Sequence, residues 1–386
     1  MGRIETAMSE RERKNLIEKV KTAVVKIGSS VLTHDDGSLD ESVFEEMAGQ
    51  VFDLKRRGVR TIIVSSGAIA SGMKKLGLSS RPVEIDVKQA ISACGQTELI
   101  RSYEEAFSKF GLKVAQILLT RDGFSDRKRF LNSRKTIRRL LEMEIVPVIN
   151  ENDTVAFEEI MFGDNDNLAA LVISLTEADL LVLLSDVEGF FDKDPAKDKD
   201  AKLLSTIAEI DSRIESFAGD TFGRTTSGGM RTKIQAARSA AAFGVPTIIA
   251  NGKRKDSLKS IFDGREYGTV ILPTRERLTG KKHWIAYTLK PQGKLILDDG
   301  AAEAIARKGK SLLPSGIREV QGEFGIGELV SCFDSSGVEI SRGLCSYGSS
   351  EVKKILGKKS SEIEDVLGYR YGDEIIHRNE MVILSR

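Results

Sequence analysis

Six short runs of Val, Ile and Leu constrain the fold of this chain more than any other feature of its sequence. They comprise residues 23–27, 60–65, 112–119, 145–149, 180–185 and 246–250, and amphipathic helical stretches separate them. The runs are apolar at consecutive positions, as is typical of central strands in a parallel sheet that helices cover on both faces. Gly58, Gly111 and Gly244 stand where left-handed C-terminal caps would end the preceding helices. The pattern predicts an α/β fold: a three-layer αβα sandwich with a mainly parallel sheet.

The pattern changes beyond about residue 275. Short apolar runs at 294–297, 317–320, 328–333 and 338–344 are separated by glycines and other turn residues, which is typical of a small β-rich domain or barrel. A chain of 386 residues is long enough for two domains. We therefore predict an N-terminal extension over 1–20, an α/β catalytic domain over 21–275, a linker over 276–290 and a β-rich domain over 291–386.

Composition narrows the possible functions. The 58 basic and 57 acidic residues nearly cancel, so net charge gives no reason to expect nucleic acid or an anionic membrane as the main partner. The three cysteines form no C-x-x-C motif, and neither a disulfide framework nor a cysteine zinc site is expected. No signal peptide or membrane-spanning run is apparent, which favours a cytoplasmic protein. We assign no catalytic role to the three histidines, which are His34, His283 and His377.

Polar or glycine-rich clusters follow the predicted strands. They occupy residues 26–30, 65–72, 150–153 together with 163–167, 185–189 and 225–233. In an open α/β sheet ligands bind at the carboxyl ends of the strands, so these positions favour a binding site. Small residues at helix starts also expose backbone N–H groups that can bind phosphate. The alternative for residues 26–30 is a lysine whose aliphatic stem snorkels at a strand end, and the alternative for residues 65–72 is tight packing of a helix on a strand. For residues 150–153 with 163–167 and for residues 225–233, the alternative is an ordinary helix cap.

Several specific motifs are excluded. Residues 225–233 do not have the spacing of a Walker A loop. An EF-hand loop counted from Asp164 would need Gly at position 169 and Glu at 175, where Ala169 and Leu175 stand. The arginine-rich and lysine-rich stretch over 127–139 is interpreted as a solvated helix face rather than a nucleic-acid patch.

The order of these motifs resembles the amino acid kinase family. The resemblance rests on five sequences: Val-Val-Lys-Ile-Gly-Ser-Ser-Val-Leu-Thr, Ser-Ser-Gly-Ala-Ile-Ala-Ser-Gly, Val-Ile-Asn-Glu-Asn-Asp, Gly-Asp-Asn-Asp-Asn-Leu and Ser-Gly-Gly-Met-Arg-Thr-Lys. The third and fourth resemble in particular the members that act on L-glutamate. Residues 311–317 and 322–330 are similar to the PUA domain, a small β-barrel. Only residues 1–20 lie outside these resemblances.

The resemblance implies ATP-dependent phosphorylation of the γ-carboxylate of L-glutamate, the first step toward proline, with Mg²⁺ carried by the nucleotide. Lys26 and Lys233 would contact the ATP phosphates, and Asp166 would lie between them and orient them. The residues that would bind glutamate are Ser66, Asp153 and Asn165. The residues that would border the nucleotide are Ser185, Asp186, Ser227, Gly228, Gly229, Met230, Arg231 and Thr232.

The resemblance also implies partners beyond the two substrates. A homo-oligomer, either dimer or tetramer, is expected, and a reductase that consumes glutamyl phosphate would receive the product. Proline is a candidate feedback inhibitor, although no residue here guarantees that. The sequence departs from the family pattern at Ser185 and Ser65, where Thr is expected, and both changes keep a hydroxyl group.

Two other functions stay open. The chain could phosphorylate a different acceptor with the same fold: aspartate, acetylglutamate, carbamate or UMP. It could instead be an RNA-binding protein that acts through its PUA-like tail, which would require a basic surface with stacking aromatic residues. Residues 291–386 mix acidic with basic residues, which argues against RNA binding as the main function.

Overall fold

A computed structural model describes residues 8–80, 82–120, 123–124, 127–155, 165–195, 197–219, 229–273 and 291–384. The chain divides into two compact units, Met1–Arg277 and Leu278–Arg386. In the described part of the chain, no helix is long and apolar enough to cross a membrane.

The first unit is built on an eight-stranded sheet in the order β3-β4-β2-β1-β5-β9-β10-β8. All neighbouring strands are parallel except β9 and β10, which are antiparallel. A separate two-stranded ribbon pairs β6 with β7. The strands are β1 (Thr22–Ile27), β2 (Arg60–Ser65), β3 (Lys113–Leu119), β4 (Ile145–Glu151), β5 (Leu180–Ser185), β6 (Phe190–Phe191), β7 (Leu203–Leu204), β8 (Thr206–Ile207), β9 (Thr247–Asn251) and β10 (Thr269–Ile271).

Helices cover both faces of this sheet. Val25 and Ile63 on one face pack in a single apolar cluster with Phe44 and Tyr103 from two long helices, while Leu183, of the opposite parity, is also fully buried. The predicted three-layer architecture is therefore confirmed. The described helices are α1 (Glu10–Ile17), α2 (Ser29–Leu32), α3 (Glu41–Arg56), α4 (Ala68–Lys75), α5 (Ile85–Ser108), α6 (Arg127–Glu142), α7 (Asn165–Thr176), α8 (Ser212–Gly219), α9 (Met230–Ala242) and α10 (Ser257–Phe262).

All six predicted strands are present, but one does not lie at the centre of the sheet. β3 pairs only with β4 at the edge of the sheet, and it is largely half-buried or exposed. The prediction that every run is a central strand is wrong for β3, because an edge strand lacks a neighbour that would cover its outer side. The caps are as predicted: Gly58, Gly111 and Gly244 have φ values of 79°, 67° and 70°.

Successive strands are added on one side of β1 first and then on its other side. From β1 the chain builds β2, β4 and β3 on one side, and then crosses through α7 to build β5 and β9 on the other. The carboxyl ends of β4, β2, β1, β5 and β9 therefore lie side by side along one edge. Such a switch point leaves a crevice in which ligands bind.

The second unit is β-rich, as predicted. Its five-stranded sheet has the order β12-β11-β13-β14-β15, and its apolar core includes Leu295, Val330, Tyr347 and Ile376. The described elements are β11 (Gly293–Leu297), α11 (Asp299–Lys308), β12 (Ile317–Gly322), β13 (Leu329–Phe333), β14 (Glu339–Leu344), α12 (Ser349–Ile355), α13 (Ile363–Leu367) and β15 (Met381–Ile383).

The basic helix α6 bears out the interpretation of a solvated face where its side chains are described. Arg138 and Arg139 are 77% and 74% exposed, and both form ion pairs with Glu142. Arg134 pairs with Glu177. Carboxylates neutralise these guanidinium groups, so α6 does not present an open row of free cations here.

Residues 8–20, which no motif explains, pack onto the first unit. Ile17 and Val20 join its core, and Arg13 of α1 is only 2% exposed. The Arg13 guanidinium donates hydrogen bonds to the carbonyl oxygens of Ser205 (2.6 Å) and Tyr267 (3.4 Å). Ser205 immediately precedes β8, and Tyr267 lies two residues before β10. The two hydrogen bonds therefore attach α1 to both strands at that edge of the sheet.

We expect Arg13→Ala to lower the free energy of unfolding by about 2 kcal/mol, because the change leaves buried carbonyl groups without their charged donor. Arg11→Ala is the matched control on the same helix, since Arg11 is exposed and surface changes cost less than about 0.5 kcal/mol. Urea denaturation followed by circular dichroism measures both. Equal urea midpoints for the two variants would show that the hydrogen bonds of Arg13 do not stabilise this edge of the sheet.

Candidate active site

A buried carboxylate between two buried ammonium groups forms the centre of the crevice. Asp166 is completely buried, and Lys26 and Lys233 are 5% and 3% exposed. Lys26 Nζ lies 2.6 Å from Asp166 Oδ1, and Lys233 Nζ lies 3.1 Å from Asp166 Oδ2. The Thr232 hydroxyl is 3.0 Å from Asp166 Oδ2. The group carries two positive charges and one negative charge, so it presents an excess cation to an anionic ligand.

Three separate elements supply this group. Lys26 is on β1, at the switch point, where it pairs in register with Val64 of β2 and Leu183 of β5. Asp166 is in the first turn of α7, and Lys233 is in the first turn of α9. α7 leads into β5 and α9 leads into β9. The contacts of Asp166 with Lys26 and Lys233 place both helix starts beside the carboxyl end of β1.

The electrostatics of Asp166 are set by its neighbours. Burial by itself would raise the pKa of this carboxyl, because a charge out of water is costly. The ammonium groups of Lys26 and Lys233 outweigh burial and hold the pKa of Asp166 below its ordinary value. Asp166 is therefore an ionised anchor that fixes the two lysine ends.

Helix starts add backbone donors to the crevice. Gly67 and Gly229 precede α4 and α9, and neither helix has a side chain that caps its first N–H groups. Gly67 has a φ of 105°, a conformation that favours glycine, and this sharp turn begins α4 directly after β2. Uncapped N–H groups and the helix dipole favour a bound anion at both positions.

Asn165, next to Asp166, organises the side of the crevice above β2 and β4. Its Nδ2 lies 2.7 Å from the Ser65 carbonyl oxygen, 2.9 Å from Asn150 Oδ1 and 3.1 Å from Ser66 Oγ. Asn150 donates in turn to Gln96 Oε1 of α5, at 2.8 Å. The ends of β2 and β4, α5 and α7 are thus joined by one polar network.

Asp153 lies on the same side, on the single 3-10 turn Asp153–Val155 after β4. The Ser92 hydroxyl of α5 donates to Asp153 Oδ2 at 2.5 Å. Burial raises the pKa of Asp153, and the hydrogen bond from Ser92 opposes that rise. Among the described residues, no Lys or Arg forms an ion pair with this carboxylate.

The ends of β5 and β9 form the other side. The Ser185 hydroxyl donates to Asp186 Oδ1 at 3.1 Å, and the Gly252 amide donates to the Ser185 carbonyl at 2.7 Å. Asn251 Nδ2 donates to Glu188 Oε1 at 2.9 Å, and Arg254 pairs with the same carboxylate. These contacts hold the two strand ends together beside Lys26.

The described residues that the sequence predicts as site residues lie along the carboxyl edge of the sheet. Contacts join Lys26, Asp166, Thr232 and Lys233 into one group and Ser66 and Asn165 into a second. Met230 is buried, whereas Arg231 is exposed. Ser185 and Asp186 end the strand next to β1, without a described contact to either group. Ser227 and Gly228 lie outside the described residues, as does His283.

Sequence reasoning missed three side chains that the network uses. Asn150 was part of a quoted motif without a role, and Ser92 and Gln96 of α5 belong to no motif. Ser92 and Gln96 are one helical turn apart. That spacing is typical of any amphipathic helix, so by itself it does not indicate a binding site. Gly95, between them, was the available clue, because a small residue in a helix allows close packing.

The donor set fits a phosphate ligand better than a metal ion bound directly by protein. No group of three or more His, Cys, Asp or Glu residues suited to a metal occurs in the described part of the chain. Both Asp166 oxygens are engaged by lysines.

Comparisons with known proteins identify the families that this chain resembles. The model of the amino acid kinase family matches residues 21–251, and the model of the PUA domain matches residues 293–367. Glutamate 5-kinase from Geobacter sulfurreducens is 51% identical over 372 residues, which cover 96% of this chain and 100% of that protein. Glutamate 5-kinase from Pelobacter propionicus is 50% identical with the same coverage.

Solved structures with lower sequence identity also match this chain. A carbamate kinase from Giardia lamblia is 17% identical, with a TM-score of 0.47, over 66% of this chain and 99% of that one. The family match extends over more than half of the chain and contains Lys26, Asp166 and Lys233. This chain belongs to the amino acid kinase family.

Proposed function

We propose that this protein transfers the terminal phosphoryl group of ATP to the γ-carboxylate of L-glutamate. The products are L-glutamyl 5-phosphate and ADP, and the reaction is the first step of proline biosynthesis. The observation that carries the proposal is the buried group of Lys26, Asp166 and Lys233, in a chain half identical over nearly its whole length to proteins named glutamate 5-kinase.

The reaction needs no general base from the protein. A glutamate side chain has an ordinary pKa of about 4.3, so its carboxylate is an ionised nucleophile at neutral pH. This agrees with a crevice whose described side chains include no histidine. His34 is exposed and contacts none of the crevice side chains in the described part of the chain, and His377 is half-buried in the second unit. Rate acceleration then depends on alignment of the reactants and on neutralising the charge of the transferred group.

Lys26 and Lys233 supply that charge. Their ammonium groups flank Asp166 and are fixed before substrate arrives, so they need little reorganisation as negative charge shifts toward the leaving oxygen. The start of α9 adds backbone N–H donors beside Lys233. Mg²⁺, when bound to the nucleotide phosphates, would neutralise further charge on their oxygens. Asp166 acts as the positioning residue that keeps both lysines directed into the crevice.

The acceptor amino acid is proposed to bind above β2 and β4. Asp153 is placed to pair with the α-ammonium group, and Ser66 and Asn165 are placed to bind carboxylate oxygens near the amides that begin α4. The nucleotide is proposed to bind above β5 and β9, bordered by Ser185, Asp186 and residues 227–233. Asn165 and Asp166 are adjacent, so they connect the two halves at the position where phosphoryl transfer occurs.

Several partners remain part of the proposal. The product is an acyl phosphate, which water attacks readily, and a reductase that consumes it is the expected recipient. A homo-oligomer, inhibition by proline and a cytoplasmic location are proposed on the resemblance to the family. Contact between RNA and the β-rich second unit is an untested alternative for that unit.

The proposal is tested by ADP release from purified protein with ATP and Mg²⁺ in the presence of hydroxylamine. The acceptors compared are L-glutamate, L-aspartate, N-acetylglutamate and none. Glutamate-dependent ADP release with an equal amount of γ-glutamyl hydroxamate is expected. Preference for another acceptor would contradict the assignment of glutamate while leaving the lysine roles in place.

We expect Lys233→Met to lower kcat by about 100-fold to 1,000-fold, the usual loss when one preorganised electrostatic donor is removed. Steady-state kinetics with saturating ATP and glutamate measure the loss. Lys259→Met on α10 is the matched control, because Lys259 is exposed and should keep full activity. Near-normal turnover by a folded Lys233→Met protein would remove this lysine from the mechanism.

Asp153→Asn should raise the KM for glutamate roughly 30-fold, because the loss of one partly buried charge pair costs about 2 kcal/mol. The KM for ATP should stay within about twofold, since the nucleotide is proposed to bind above other strands. Equal changes in both KM values would displace Asp153 from the acceptor side.

A further inference from the structure

We propose that Ser92 of α5 is a positioning residue that holds the Asp153 carboxylate for the ammonium group of the acceptor amino acid. This inference rests on the proposed function, because it names the side chain that sets how tightly glutamate binds. Ser92 has no place in any motif of the sequence, and it would act through Asp153 rather than on the reacting atoms.

The contact itself is the first argument. Ser92 is 3% exposed, and its hydroxyl lies 2.5 Å from Asp153 Oδ2. A hydroxyl donor to an ionised oxygen is among the stronger hydrogen bonds in proteins, and its distance falls within the range for such bonds. The serine is buried in a helix, so forming the bond requires little loss of side-chain freedom.

The position of Asp153 makes this bond important. Asp153 is outside β4, on one 3-10 turn whose next residues, Thr154 and Val155, are exposed. Within the described part of the chain, Ser92 is the side chain that donates a hydrogen bond to this carboxylate. A side chain on so short a turn depends on a partner from a rigid element to keep one orientation.

The rigid element is α5, and its place is fixed by direct contact with α4. A Cβ atom at Gly95 would lie 1.9 Å from the Ala68 carbonyl oxygen, and one at Gly72 would lie 2.0 Å from the Ile91 carbonyl oxygen. The two helix backbones therefore touch on either side of Ser92. α4 begins at Ala68, two residues after Ser66. The contact between the helices therefore fixes the position of the Ser92 hydroxyl relative to Ser66 and the proposed acceptor side.

The electrostatics of Asp153 also support a positioning role for Ser92. Burial disfavours the ionised form of Asp153, and the Ser92 hydrogen bond is the contribution that favours it. Loss of the hydroxyl would leave a half-buried carboxylate that is less well oriented and more costly to keep charged. Both effects weaken binding of an ammonium group, and neither acts on the nucleotide side of the crevice.

The test is the steady-state kinetics of the full-length protein with Ser92→Ala and Ser92→Cys. Alanine removes the donor, and cysteine keeps the size of the side chain but is a weak donor. Each variant should raise the KM for glutamate about tenfold, equivalent to about 1.4 kcal/mol, with kcat and the KM for ATP within about twofold. Ser92→Thr keeps the hydroxyl and should restore a KM close to that of the parent protein.

A matched control and a double-mutant cycle separate positioning from a general structural effect. Ser174 is a buried helical serine whose hydroxyl bonds a backbone carbonyl, and Ser174→Ala should leave the KM for glutamate unchanged. In an Asp153→Asn background, Ser92→Ala should have almost no further effect, since residues that act through one another are not additive.

An unchanged KM for glutamate in both Ser92→Ala and Ser92→Cys would overturn the inference. So would equal increases in the KM values for glutamate and ATP, or effects that simply add to those of Asp153→Asn. The unsubstituted protein is assayed first. If it does not phosphorylate glutamate, the proposed function fails and takes this inference with it, whereas a failure confined to the Ser92 variants leaves the proposed function standing.

Discussion

The buried ionic group of Asp166 with Lys26 and Lys233 is the interaction on which the rest of the crevice depends. A carboxylate with no exposed surface is stable only if cations and hydrogen-bond donors surround it. Those partners come from β1 and α9, and α7 carries the carboxylate itself. The need to pair this charge therefore fixes where the two helices begin relative to β1. The group that holds these elements in place is also the group that can bind and neutralise phosphate, and this explains how a buried charge is retained there.

The two halves of the crevice are coupled because neighbouring residues serve both. Asp166 orients the lysines, while Asn165 binds the end of β2, Asn150 and Ser66. The start of α7 is therefore the shared support of the proposed acceptor and nucleotide sides. A shift of α7 would disturb both sides together, which suits a reaction that needs two substrates aligned within a few tenths of an ångström.

Close packing of helices extends this support to Asp153. The glycine contacts between α4 and α5 leave no room for a side chain at Gly72 or Gly95, so the distance between the helices is set by backbone atoms. Ser92 and Gln96 then hold Asp153 and Asn150 from a fixed base. Ser92 and Gly95, which belong to no recognised motif, thus take part in shaping the proposed acceptor side.

The sequence by itself determined the fold class, the six main strands and most residues of the crevice. Consecutive apolar residues predict buried strands from local pattern alone. Polar residues in the last positions of a strand must lie at its carboxyl edge, as Lys26 and Asn150 do. Only the tertiary structure decided that β3 lies at the edge, that Arg13 fastens β8 and β10, and that Ser92 reaches Asp153. The physical reason is that these contacts join segments far apart in the chain, and their side chains have no local periodicity that marks their partners.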